Sequence, residues 1–252
     1  MSIELLAPAG EKEAFLAAVK AGANAVYLGA TALNARAGAG NFDRETLVWA
    51  TEYAHERDVR VHVTVNTMVK EGEMSLVDDV AEQLALCGAD AAIVQDLGVA
   101  ARLHRLLPSL SLHASPQMAI HNAQGAQFAL DAGFSRAVLA REMNLEEIAE
   151  CADTGIEIEV FGHGALCVSC SGQCLFSSLV GGRSGNRGQC AQPCRLPYHL
   201  EGAVRAQGYL LSTKDLMTLD SLVQLREAGV ASLKLEGRLK RPEYVYAVTS
   251  AY

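Results

Sequence analysis

Short apolar runs alternate with longer amphipathic stretches along most of the chain. The runs have the length of β-strands, and the stretches between the first seven have the length and apolar spacing of helices. This alternation predicts eight βα units and therefore an α/β fold, a TIM-like (β/α)8 barrel, with a doubly wound open sheet as the alternative. The predicted strands are Ile3–Leu6, Ala25–Leu28, Val59–Val65, Ala91–Val94, Ser111–Ala114, Arg136–Leu139, Ile156–Phe161 and Ser232–Leu235.

A recurring glycine marks the boundary between an amphipathic stretch and the next apolar run. Each one predicts a left-handed residue that ends a helix just before a strand. The glycines are Gly22, Gly88, Gly133 and Gly229. Asn144, with Glu147 three residues later, predicts a capping box at the start of another helix.

The connection between the seventh and eighth predicted strands is about 70 residues long. It holds five cysteines, a glycine-rich stretch at 181–188 and a predicted hairpin around Tyr198–Leu211. Loops of this length are usually functional. We therefore predict one barrel domain over 1–252 with a cysteine-rich insertion over about 162–212. Because the chain stops at Tyr252 inside the predicted eighth helix, we also expect a longer parent protein.

Composition agrees with a globular α/β domain. The chain has 252 residues, of which 50% are hydrophobic, 20% charged and only 6% aromatic. No apolar run reaches the length of a membrane span and the N-terminus lacks signal-peptide features, so we expect a cytoplasmic protein. The net charge of −8 argues against a wholly basic nucleic-acid surface, but is compatible with a local basic patch.

The cysteines give the most specific chemical signal. Cys87 and Cys151 stand alone and are expected to be small buried residues. The other five follow the spacing C-x2-C-x3-C-x15-C-x3-C, and in a reducing compartment such clustering favours metal ligation over disulfides. Four thiolates suit either structural zinc or an iron-sulfur cluster, and unligated cysteines are a third interpretation. The five are Cys167, Cys170, Cys174, Cys190 and Cys194.

Polar residues follow most of the predicted strands. Ligand-binding and catalytic groups of such barrels lie at the carboxyl ends of the strands, so these positions form a candidate site. Asp96 and Ser115 also fit the alternative role of helix caps. Lys214 and Asp215 add a cation and a carboxylate, with a surface pair as the alternative. The other candidates at strand ends are Asn66, Gln117, Arg141, Glu142, His163, Glu236 and Arg238.

Basic residues concentrate around the cysteines. Between 160 and 200 there are three arginines and no acidic residue, and between 234 and 241 four cations accompany only Glu236. This charge suits a phosphate-bearing substrate, or alternatively balances a thiolate-ligated centre. The residues are Arg183, Arg187 and Arg195, then Lys234, Arg238, Lys240 and Arg241.

Several motif-like blocks are spread over nearly the whole chain. One run extends from Glu159 to Cys167 and continues through Gly172–Cys174 to Ser177. The other blocks are Glu4–Gly10, Tyr27–Gly29, Asn186–Arg195, Lys214–Leu216 and Leu235–Tyr244. Together these blocks resemble the collagenase-like peptidase family U32, and the first run resembles its signature.

This resemblance implies two different chemistries. The family name implies peptide hydrolysis, whereas better-understood relatives are oxygen-independent or prephenate-dependent hydroxylation factors for rRNA or tRNA pyrimidines, or for ubiquinone synthesis. Those relatives carry a 4Fe-4S cluster on four cysteines. By position the ligands here are Cys167, Cys174, Cys190 and Cys194, with Cys170 as an extra thiol.

We expect an enzyme that hydroxylates an RNA pyrimidine, with prephenate as a candidate co-substrate and zinc as the alternative to the cluster. Its phosphate-binding residues would be Arg183, Arg187, Arg238, Lys240 and Arg241. The alternatives are an accessory quinone hydroxylation factor and a peptidase. In a peptidase, His163 would be the base, Cys170 the nucleophile and Glu236 the orienting or acidic group. In an RNA-modifying enzyme, His163 and Glu236 would position the substrate.

Overall fold

A computed structural model describes residues 2–36, 38–202 and 205–252. Eight parallel strands form a closed barrel. Strand β7 (Glu157–Gly164) pairs with both β6 (Arg136–Val138) and β11 (Val230–Leu235), and β11 pairs with β1 (Glu4–Pro8). The TIM-like prediction is confirmed, and the open-sheet alternative is wrong because these pairings leave no free edge. The strands are β1 Glu4–Pro8, β2 Ala25–Gly29, β3 Arg60–Val65, β4 Ala91–Val94, β5 Ser111–Ala114, β6 Arg136–Val138, β7 Glu157–Gly164, β8 Tyr198–Leu200, β9 Ala206–Gly208, β10 Leu216–Met217 and β11 Val230–Leu235.

Local signals in the sequence set the helix ends. Asn144 and Glu147 form the predicted capping box. Gly22, Gly88 and Gly133 have φ of 95°, 70° and 89°, as predicted for left-handed residues before strands. The helices are α1 Lys12–Lys20, α2 Arg44–His55, α3 Met74–Cys87, α4 Leu97–Leu106, α5 Ala123–Asp131, α6 Leu145–Ala152, α7 Phe176–Gly181, α8 Leu222–Glu227 and α9 Pro242–Ala251. None of those within the described ranges is long and apolar enough to cross a membrane.

The main hydrophobic core lies between the strands and the surrounding helices. Phe15, Phe42, Leu47 and Leu103 are fully buried there, and each such side chain stabilises the fold by about 1.5–3 kcal/mol. Cys87 and Cys151 are buried as predicted. Asp96 and Ser115 cap α4 and a short helical turn through their side-chain oxygens, which confirms the structural alternative for both.

Charged residues fill part of the barrel interior. Arg136 on β6 contacts Glu4 on β1 at 2.6 Å, and Lys234 on β11 contacts Glu159 on β7 at 2.8 Å. Because β1 and β6 are not neighbouring strands, the first pair spans the barrel. Lys234 therefore neutralises a buried carboxylate and does not contribute to an exposed basic patch. We call the buried residues Glu4, Arg136, Glu159 and Lys234 the interior cluster.

The long segment between β7 and β11 is tied to the barrel at several points. β8 and β9 form the predicted hairpin, and β10 adds antiparallel to the end of β7. Arg195 donates to the carbonyl oxygens of Leu166 and Thr213, so it joins the start of the segment to its end. These contacts hold the cysteine-bearing turns beside the carboxyl ends of the strands.

Candidate functional site

Two arginines from separate loops hold one carboxylate at the carboxyl ends of the strands. Glu236 directly follows β11, and its two oxygens lie 3.1 Å from Arg36 Nη2 and 3.1 Å from Arg141 Nη2. Arg36 comes from the loop after β2 and Arg141 from the loop after β6. With the buried Arg238, these residues form what we call the mouth cluster. The barrel therefore brings together side chains that are 200 residues apart in sequence.

Positive charge exceeds negative charge in the mouth cluster. Burial by itself raises the pKa of Glu236, but the charges of Arg36 and Arg141 outweigh it and bring the pKa to about 2. Burial, with Arg36 adding to it, lowers the pKa of Arg238 to about 10. Three cations thus face one carboxylate, and this excess attracts an anion.

Close packing of the β2 end on Arg238 explains the glycine in the Tyr27–Gly29 block. A Cβ at Gly29 would lie 2.7 Å from Arg238 Nη1 and 2.8 Å from Asn41 Oδ1. With glycine at this position, Arg238 donates to Thr64 Oγ1 at 3.0 Å, and its guanidinium lies 5.8 Å from the ring centroid of Tyr27. Any side chain at position 29 would therefore displace a member of the mouth cluster.

Cys194 lies within electrostatic range of the other three predicted thiol ligands. Burial raises the pKa of Cys194, and the thiolates of Cys190, Cys167 and Cys174 raise it further against the opposing charge of Arg195. Two sulfurs accept hydrogen bonds: Cys190 Sγ from the backbone N–H of Gln192 at 3.4 Å and Cys167 Sγ from Arg141 Nη1 at 3.7 Å.

This donor set fits a thiolate-ligated centre in its chemistry, because N–H···S bonds are the usual outer contacts of such ligands. Within 2–36, 38–202 and 205–252, however, no group of three or more His, Cys, Asp or Glu side chains is arranged to hold a metal ion. The ligand set Cys167, Cys174, Cys190 and Cys194 stays a prediction. Cys170 is exposed.

His163 lies at the end of β7, where β10 pairs with it. Its Nδ1 is 3.3 Å from the hydroxyl oxygen of Tyr252, and burial lowers its pKa against the charge of Asp215. Asp215 is therefore near His163, while Lys214 is exposed. Among the described hydrogen bonds, the His163 ring has no thiol partner, so the structure does not assemble the His163–Cys170 pair expected for a peptidase.

Gln117 lies under the cysteine-bearing segment. A Cβ at Gly172 would lie 2.2 Å from the Gln117 carbonyl oxygen, so the segment packs directly on this strand end. The side-chain oxygen of Gln117 is buried and has no hydrogen-bond partner among the described residues. The role of Gln117 in substrate binding stays a prediction. Gln117 lies beside Gly172, in the segment that bears the predicted ligands.

The predicted phosphate-binding cations do not share one environment. Arg187 pairs with Glu73 at 2.6 Å and donates to the Met68 carbonyl oxygen, while Arg238 is buried. To bind phosphate, Arg187 would have to leave Glu73, and Arg238 would have to become exposed. Arg183, Lys240 and Arg241 are exposed.

The family model for Peptidase family U32 matches residues 10–252. The chain belongs to peptidase family U32. It is 40% identical over 99% of its length to the 23S rRNA 5-hydroxycytidine C2501 synthase of Escherichia coli, and covers 38% of that protein. It is 36% identical to the tRNA hydroxylation protein P1 of Bacillus subtilis and to a collagenase of Porphyromonas gingivalis, covering 99% of this chain and 62% and 64% of those proteins. This U32 chain thus spans between 38% and 64% of the length of these relatives.

Solved structures agree on the fold of the U32 chain. The U32 peptidase Mk0906 superposes with a TM-score of 0.59 at 11% identity, covering 94% of this chain and 93% of that one. Phosphoribosyl anthranilate isomerase of Thermotoga maritima gives 0.54 at 9% identity, covering 99% and 98%. At these identities the likeness establishes the barrel alone.

Proposed function

We propose that this U32 chain is the part of an enzyme that hydroxylates a pyrimidine base in rRNA or tRNA. The observation that carries the proposal is the 40% and 36% identity, over 99% of the chain, to proteins named for rRNA and tRNA hydroxylation. Base chemistry requires a site for an unstacked nucleotide, and we assign that site to the barrel mouth, where catalytic groups of such barrels lie. The exposed Arg183, Lys240 and Arg241 would contact the flanking phosphates.

We further propose that Cys167, Cys174, Cys190 and Cys194 hold a 4Fe-4S cluster. Replacing a base C–H bond by C–OH removes two electrons from the base and adds one oxygen atom, so the reaction needs an oxygen donor and an electron acceptor. An iron-sulfur cluster would pass the electrons one at a time to that acceptor, whereas zinc, the alternative for these thiols, has no redox chemistry. The neighbouring thiols and the N–H···S contact to Cys167 support this assignment.

Prephenate is the proposed co-substrate, and the mouth cluster is where this chain would bind it. Prephenate carries two carboxylates, and planar guanidinium groups bind carboxylates with paired hydrogen bonds. Arg36 and Arg141 each donate one hydrogen bond to the carboxylate of Glu236. Their excess positive charge, together with Arg238, favours an added anion.

The function is tested by mass spectrometry of rRNA and tRNA nucleosides from a deletion strain. We expect loss of one hydroxylated pyrimidine, its return with the full-length wild-type gene, and no return with Cys194→Ser. Cys170→Ser is the matched control and should restore the nucleoside. Unchanged nucleosides after both aerobic and anaerobic growth would overturn the proposal. Altered quinone intermediates in that strain would instead support the accessory quinone role.

A peptidase is the second candidate, because one relative at 36% identity is named a collagenase. Peptide hydrolysis requires an activated nucleophile and oxyanion stabilisation. The observed partner of His163 is the Tyr252 hydroxyl, which weakens this candidate. Cleavage of gelatin that is abolished by Cys170→Ala or His163→Ala, with metal content retained, would favour it.

A further inference from the structure

One side chain contacts both the mouth cluster and a predicted cluster ligand. Arg141 Nη2 lies 3.1 Å from Glu236 Oε2, and Arg141 Nη1 lies 3.7 Å from Cys167 Sγ. Among the hydrogen bonds of the described residues, no other arginine or lysine side chain donates to a cysteine sulfur. Arg141 is therefore shared between a carboxylate and a thiol.

The surroundings of Arg141 fix its position. Its guanidinium lies 3.9 Å from the ring centroid of Phe161, and its side chain is only 12% exposed. Its backbone N–H donates to Ser171 Oγ, and the backbone and hydroxyl of Ser171 bind the Glu142 carboxylate. The β6 end and the cysteine-bearing segment are thus joined at this residue, so the guanidinium cannot leave one partner without affecting the other.

We propose that Arg141 is a positioning residue that couples the charge in the barrel mouth to the reduction potential of the cysteine-bound cluster. This inference rests on the proposed function, because it requires a cluster on Cys167. A hydrogen bond to a thiolate ligand stabilises the reduced and more negative state, and so raises the reduction potential. Glu236 acts in the opposite direction, because its negative charge disfavours reduction and competes for the same guanidinium.

The consequence for the reaction is reciprocal. An anion that binds in the mouth draws Arg141 from Cys167 and lowers the potential, and reduction in turn strengthens the Arg141 contact with Cys167 and weakens the hold on that anion. Substrate binding and electron transfer are thereby linked through one side chain.

The test is a potentiometric titration of the anaerobically purified full-length protein, followed by electron paramagnetic resonance. At the wild-type midpoint, Arg141→Gln should lower the ratio of reduced to oxidised cluster about tenfold, which is ~59 mV for a one-electron couple. Arg141→Lys should lower the ratio less, because lysine keeps the positive charge but lacks the planar guanidinium that reaches both partners. Glu236→Gln should raise it. Arg57→Gln, which removes a cation after α2 at the opposite end of the barrel, should leave it within about twofold.

Shifts of the same sign for Arg141→Gln and Glu236→Gln, or a ratio within twofold of wild type for Arg141→Gln, would overturn this inference alone. If Arg141→Gln loses the cluster, an unchanged ratio in Arg141→Lys also overturns it. Wild-type protein that holds zinc without sulfide would instead overturn the proposed cofactor, and this inference with it. Iron and sulfide analysis of each sample separates these outcomes.

Discussion

The interior cluster and the mouth cluster use the same residue types at two levels of one barrel, but their charge balance differs. The interior cluster pairs two carboxylates, Glu4 and Glu159, with two cations, Arg136 and Lys234, and all four side chains are almost completely buried. The mouth cluster sets three arginines against Glu236, which remains 16% exposed. In a balanced buried network the positive and negative side chains neutralise one another, whereas an unbalanced network at an opening is suited to a ligand of opposite charge.

Breaking the balance of the interior cluster should have the largest effect on stability. Lys234→Met leaves Glu159, which is fully buried, without its 2.8 Å partner. Arg136, 3.2 Å from Glu159, is then the remaining cation for Glu4 and Glu159 together. Because one buried carboxylate charge stays uncompensated, we expect the free energy of unfolding in urea to fall by about 3–5 kcal/mol. The matched control is Lys240→Met at an exposed position, which should change stability by less than about 0.5 kcal/mol. Equal effects of the two substitutions would show that burial of the Lys234–Glu159 pair does not set its contribution to stability.

Acidification should also act on the barrel interior. Burial lowers the pKa of His62 from its ordinary 6.5 to about 4. Between these two pH values the imidazole is protonated in the unfolded chain but neutral in the folded chain. Stability is then complete above pH 6.5 and is lost as the pH falls towards 4, by up to about 3 kcal/mol for this group. Urea unfolding at pH 7.5 and 5.0 measures the loss. His62→Gln should reduce the pH dependence, and the exposed His104→Gln should leave it unchanged; no reduction in His62→Gln would refute the assignment.

The mouth cluster should respond to an anion more than to the loss of one arginine. Arg36→Gln removes one of three clustered cations, and we expect it to cost less than about 1 kcal/mol because Arg141 still holds Glu236. Prephenate at a hundred times its dissociation constant should stabilise the wild type by about 2.7 kcal/mol. Urea unfolding with and without prephenate should show that Arg36→Gln loses most of this gain. A gain equal to that of the wild type would place the anion elsewhere.

The smallest effect is expected at the contact that joins the cysteine-bearing segment to the loop after β3. Arg187 pairs with Glu73 at the partly exposed surface, away from both clusters. Glu73→Arg and Arg187→Glu should each destabilise the protein slightly, and the double exchange should recover about 0.5–1 kcal/mol relative to their sum. A double-mutant cycle by urea unfolding measures this coupling. A coupling of zero would show that the pair does not hold the segment.

Local signals account for the features that were predictable from sequence. The period of apolar residues located the barrel strands, and the Asn144–Glu147 capping box and Gly88 marked helix ends because these effects act within a few residues. The cysteine spacing places five thiols in one segment for the same reason. It contains no information on distances between sulfurs, so the ligand set and its metal stay predictions.

Contacts made by barrel closure were not predictable. Arg36 was missed because its partner Glu236 lies 200 residues away and nothing in its own loop marks it as functional. Lys234 was counted with exposed cations because its partner Glu159 comes from another strand. The sequence predicts a phosphate ligand at Arg187 because its partner Glu73 lies 114 residues away. Charge in the sequence indicated a site, but only the closed barrel shows which charges are already neutralised.

The most direct test of a redox centre beside the mouth cluster is the iron, sulfide and zinc content of anaerobically purified protein. We expect about four iron and four sulfide per chain in the wild type and in Cys170→Ser. We expect a severe loss of both in Cys194→Ser, which removes one of the four proposed ligands. Stoichiometric zinc without sulfide in the wild type would contradict it.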